Sequence, residues 1–159
     1  MRVVVFGWGN ESRGDDGIGP LLLRSLESAG WDEAELIEDF QLQLEHALDL
    51  RGADLALFLD AGRDTRAPFL FREIFPRGGM THTSHALAPE SVLDVFSRIE
   101  KAAPPPSFLL CVRGESFGLG EGLSPQGAAR LQQARVFLSR LGEARTPEAW
   151  RRAVQDAGA

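Results

Sequence analysis

The stretch VVVFGWGNESRGDDGIGP, Val3 to Pro20, decides the fold. Arg2–Phe6 is a valine-rich apolar run, the pattern of a strand buried on both faces. A glycine turn follows, then the adjacent acids Asp15 and Asp16. After them Ile18, Leu21, Leu22 and Leu26 repeat on one helical face, which predicts a helix over Asp16–Ala29. A strand, a glycine turn and a helix open a parallel α/β sheet. Such turns commonly cradle phosphate, yet this one carries two carboxylates that repel it.

The rest of the chain continues the alternation. Ala34–Phe40 and Leu55–Gly62 read as strands, with a short helix over Leu42–Asp54 closing near Gly52. Phe69–Pro76 alternates more and ends in proline, as an edge strand does. Gly78–Val92 reads as a loop that feeds a helix over Glu90–Ala102, with Val92, Val95, Phe96 and Ile99 turned inward. Pro104–Pro106 stop that helix. Ser107–Gly114 is the last clear strand. Ser124 and Pro125 suit the N-cap and first position of a helix that runs to Gly142. The expected fold is a single α/β domain with a twisted, mostly parallel five-stranded sheet and helices on both faces. Residues 1–142 form that domain. Residues 143–159 form a tail that either frays or makes one short helix around PEAWRRAVQ.

Composition narrows the function. The 159 residues carry a net charge of −6, which opposes nucleic acid and anionic membrane as partners. No apolar run approaches the roughly 20 residues of a membrane span, and the first strand lacks the three-part pattern of a signal peptide. A single cysteine, Cys111, rules out an internal disulfide and the paired-cysteine zinc motifs. Together these predict a cytoplasmic protein.

In parallel sheets the site lies beyond the carboxyl ends of the strands. Asp15 and Asp16, Asp60, the His82/His85 loop and the Gly114–Gly122 loop all fall there. The dinucleotide fingerprint G-x-G-x-x-G fails, because Ser12 stands where its third glycine belongs and acids follow; no nucleotide cofactor is expected. Capping and a favourable helix dipole account for one aspartate of the pair, and the second is left with other work. GESFG, Gly114–Gly118, matches the nucleophile elbow G-x-S-x-G. No helix follows it at once, however, and all three histidines (His46, His82, His85) precede Ser116. LFLDAG resembles the active loop of aspartic proteases, but Ala61 replaces the hydroxyl residue and those enzymes are all-β. His46 reads as a surface residue and Cys111 as core.

Asp16, Asp60 and His85 map to one sheet edge. Two carboxylates and an imidazole make a three-point divalent site with open positions, suited to zinc, nickel or iron. On that reading the turn faces a cation.

GWGNESRGDDGIGPLL resembles the signature G-x-G-N-x-x-x-x-D-[DE]-x-x-G of the hydrogenase maturation proteases, with every specified position filled. LFLDAG resembles that family's second acidic motif, TSHALAPESVL its histidine motif and GLGEGLSPQGAARL its C-terminal helix start. The resemblance spans about Met1–Leu141. It implies an endopeptidase that removes the C-terminal extension of a nickel–iron hydrogenase large-subunit precursor. It also implies that Asp16, Asp60 and His85 contact a nickel ion carried by that precursor and serve as the catalytic group. EDFQLQL departs from the glycine-rich DGGT segment common in the family, which leaves substrate identity open. Two other classes stay open: a non-catalytic nickel or iron chaperone, and a hydrolase or phosphorylase on a similar sheet. Whether metal or a carboxylate activates the attacking water is also open.

Overall fold

A computed structural model describes residues 1–78, 81–83 and 86–157. Its main sheet has five strands in the order β2-β1-β3-β7-β4. These are β1 (Val3–Trp8), β2 (Glu35–Asp39), β3 (Leu55–Gly62), β4 (Phe69–Ile74) and β7 (Ser107–Arg113). β1, β2, β3 and β7 run parallel, and β4 joins the edge antiparallel to β7. The central strands are apolar along nearly their whole length because both of their faces are covered.

The helices are α1 (Ile18–Ser25), α2 (Pro89–Glu100), α3 (Pro125–Leu141) and α4 (Pro147–Ala157). α1, α3 and α4 cover one face, where Val5, Leu57 and Leu110 meet Ile18, Leu22, Leu131 and Leu138. On the other face α2 and the 3-10 turn Leu44–Leu50 cover Val4, Phe6, Phe58 and Leu109. Ser124 is the N-cap of α3 and Pro125 its first residue, as the sequence predicts. α4 carries Trp150 into the core: it is fully buried, its ring lies 5.4 Å from Phe108 and 5.9 Å from Trp31, and its indole N–H donates to the Leu141 carbonyl.

Four local expectations change. The helix predicted from Asp16 is a 3-10 turn over Gly14–Gly17 followed by α1. The segment predicted as a loop before α2 includes a small hairpin, β5 (Thr81–Thr83) with β6 (Ala86–Leu87). Ile99 is 50% exposed; it sits in the last turn of α2, beyond the packing of Val92, Leu93 and Phe96. His46 is buried, not on the surface. Its segment is a 3-10 turn with three residues per turn, so the spacing differs from that of an α-helix. The imidazole folds back on the chain, where Nδ1 accepts from the Gln43 N–H (2.8 Å) and Nε2 lies 3.3 Å from the Asp39 carboxylate.

Candidate active site

The two adjacent aspartates have different positions and partners. Asp15 is fully buried. Its carboxylate accepts from the backbone N–H groups of Glu115 (2.7 Å), Ser116 (3.2 Å) and Ser124 (2.8 Å), and from the Ser124 hydroxyl (2.6 Å). Burial alone would raise its pKa. The Ser124 hydroxyl and the three amide donors outweigh that and hold it below the usual carboxylate value.

Asp16 is half-buried and turned toward a cavity. Its Oδ2 accepts from the Asn10 N–H at 2.7 Å. The turn that presents it is closed by Arg13 N–H to the Asn10 carbonyl (2.9 Å) and Asp16 N–H to the Arg13 carbonyl (3.1 Å). Gly9 has φ +147, and a Cβ there would strike the Asp16 carbonyl oxygen. The signature glycine therefore serves the close approach of the acid-bearing turn to the end of β1.

Asp60 lies near the end of β3, in register with Cys111 on β7. Its Oδ1 accepts from the Ala61 N–H at 2.8 Å. Burial pushes the carboxyl up to about 7; the Ala61 N–H pulls it down and the charge of Asp16 adds to the rise.

Asp16 and Asp60 line one open cavity of about 360 Å³ at the carboxyl edge of the sheet. Asn10 and Arg13 line it from the β1 turn, and Phe40 and Gln41 from the segment after β2. Leu87, two residues after His85, lines it as well. His85 lies outside the described residues, so the third member of the predicted set is not placed. Among the described residues, no three histidine, cysteine, aspartate or glutamate side chains gather to hold a metal. The donor set in view is two oxygen ligands with open space between the loops, which fits a divalent ion only when further ligands join. A larger cavity, about 620 Å³, opens at the opposite sheet end beside Ile74, Phe75 and the triple proline. Its one acid, Glu73, is held by Arg151 at 2.9 and 3.0 Å.

The other candidates have structural duties. The Ser116 hydroxyl donates to the Glu121 carboxylate, so the apparent nucleophile elbow is a closed loop. Cys111 is buried and shares a 3.0 Å hydrogen bond with the Thr65 hydroxyl. Burial, then the charge of Asp60, pushes its thiol up to about 12, so it is no thiolate at neutral pH. Glu90, in the first turn of α2, meets Arg72 of β4 at 2.9 Å and pins the start of that helix to the sheet edge. Asp15 is the residue whose role was hidden in the sequence. Its signal was the doubled acid, but its partners lie 100 or more positions away.

The fold, with its acid-bearing glycine turn and antiparallel edge strand, is that of the nickel–iron hydrogenase maturation proteases. The hydrogenase maturating endopeptidase HybD from Escherichia coli superposes with a TM-score of 0.72 at 23% identity, over 90% of this chain and 93% of that one. The [NiFe] hydrogenase maturation protease HycI from Thermococcus kodakarensis KOD1 gives 0.70 at 20% identity, over 90% and 93%. The hydrogenase 2 maturation peptidase from Thaumarchaeota archaeon SCGC_AB-539-E09 gives 0.62 at 26% identity, over 89% and 99%. The sequence matches no family model and no curated protein.

Proposed function

We propose that this protein is an endopeptidase that removes the C-terminal extension of a nickel-loaded hydrogenase large-subunit precursor. The observation that carries the reading is the convergence of Asp16 and Asp60 on one cavity, in a fold shared with proteases of that maturation step. The nickel belongs to the substrate. Asp16 and Asp60 supply hard oxygen donors toward it, and His85 is the proposed third donor, on the chain two residues before Leu87. A cation between the two carboxylates offsets their mutual repulsion, so the acid pair recognises a metal-bearing substrate and discriminates against one without metal.

The pair is also suited to proton transfer. Asp16 accepts from the Asn10 N–H, and with no cation beside it burial pushes the Asp60 carboxyl up to about 7. A carboxylate oxygen that the nickel leaves free can take a proton from the attacking water and return it to the leaving amine. The single cysteine, Cys111, free and buried, fits a reducing cytoplasm as the place of action. No described helix is long and apolar enough to cross a membrane.

The test is to incubate the protein with the precursor in nickel-loaded and nickel-free forms. Cleavage of the loaded form alone is expected. Asp16→Asn, Asp60→Asn and His85→Ala should each lower processing by roughly 100-fold or more while circular dichroism stays unchanged. Two carboxylates and one imidazole make a weak resting site, so gently purified enzyme should carry little metal by elemental analysis. Stoichiometric zinc in the enzyme, or efficient cutting of nickel-free precursor, would point to an ordinary metallopeptidase. Metal transfer without cleavage would point to a chaperone.

A further inference from the structure

We infer that Asp15 is a positioning residue for the site: its buried carboxylate clamps the turn that carries Asp16 onto the Gly114–Ser124 loop and the start of α3, and so sets where Asp16 stands in the cavity. The inference rests on the endopeptidase reading above.

A buried carboxylate with no cation beside it is costly unless donors replace the lost water. Asp15 has four, from Glu115, Ser116 and Ser124, and none is local. Its own N–H returns a bond to the Ser116 carbonyl at 2.8 Å. The Ser124 hydroxyl works in both directions: it donates to Asp15 and accepts from the Gly127 N–H at 2.9 Å as the N-cap of α3. Gly127 completes the seat, since a Cβ there would fall on the Asp15 carboxylate. Asp15 and Asp16 are neighbours in a turn of three residues per revolution, so their side chains leave it about 120° apart. One side chain is fastened to the scaffold, and its neighbour is thereby aimed into the cavity.

An asparagine at position 15 keeps the shape but turns an N–H₂ group toward donors. The loop would still be held by Gly14 N–H to the Glu121 carbonyl (3.0 Å) and Gly120 N–H to the Ser12 carbonyl (2.6 Å). The fold should therefore survive while the aim of Asp16 is lost.

The experiment compares wild type, Asp15→Asn, Ser124→Ala and the double variant, all as full chains, in steady-state processing of nickel-loaded precursor. Asp15→Asn should lower kcat about 100-fold, the scale of an ångström-level misplacement, with KM within about threefold of wild type. Ser124→Ala should lose about tenfold by the same change in kcat, and the double variant should be no worse than Asp15→Asn, because both act through one clamp. A kcat within threefold of wild type, or a loss confined to KM, would overturn the proposal. If Asp15→Asn fails to fold, Ser124→Ala carries the same comparison. Amide hydrogen exchange gives a readout independent of activity. Protection at Glu115, Ser116 and Ser124 should fall in Asp15→Asn, and unchanged protection there would overturn the clamp even if wild type cuts nothing. Wild type that cuts no precursor would instead count against the endopeptidase reading alone.

Discussion

Asp60→Asn should make the protein more stable at pH 8 while abolishing its processing activity. The carboxyl of Asp60 is raised from 3.8 to about 7, first by burial and then by the nearby charge of Asp16, against the opposing Ala61 N–H. Between those values the folded chain holds a proton that the unfolded chain has released. Unfolding stability therefore falls as pH rises through this window. The contribution is intact below about pH 4 and lost above about pH 7. At 1.36 kcal/mol per unit the full loss is roughly 4 kcal/mol, an upper bound for a cavity that water can enter. Asparagine carries no charge and its amide oxygen can still accept from Ala61. The advantage of the variant should grow from near zero at pH 4 to a maximum at pH 8. For a domain of this size that upper bound corresponds to a rise in Tm of at most roughly 8–16 °C at pH 8. Urea unfolding at pH 4, 6 and 8 measures it, with chelator present so that bound metal does not stabilise the native state. A difference that is flat with pH, or a wild type more stable than the variant at pH 8, would refute the account of a desolvated carboxylate beside Asp16.

Two further outcomes follow from groups placed outside the chemistry. Ser116→Ala and Cys111→Ala should process precursor at near wild-type rates, because the hydroxyl is committed to Glu121 and the thiol is buried and protonated; an inactive but folded Ser116→Ala would reopen the nucleophile reading. Trp150→Ala should cost about 3–5 kcal/mol by urea unfolding, since it removes a fully buried indole packed on Trp31 and Phe108; a loss under about 1 kcal/mol would mean that α4 adds little to the core.

The sequence by itself determined what depends on short spacing. Uninterrupted apolar runs at Val3–Phe6 and Leu55–Leu59 mark strands covered on both faces, and Ser124-Pro125 marks a helix start, because each is a property of neighbouring residues. The acids were legible too: Asp16 follows one strand and Asp60 falls near the end of another, so a parallel sheet brings them to the same edge. What only the tertiary structure decided is which member of each local group does what. Asp15 and Asp16 are indistinguishable as letters. Asp15 becomes the clamp because Glu115, Ser116 and Ser124 bring four donors from 100 or more residues away. His46 is buried because a 3-10 turn and the Asp39 carboxylate fold it inward, and Trp150 enters the core because α4 returns to the sheet. Spacing along the chain reports periodicity, but a buried polar group is defined by its partners, and those are chosen only when distant segments meet.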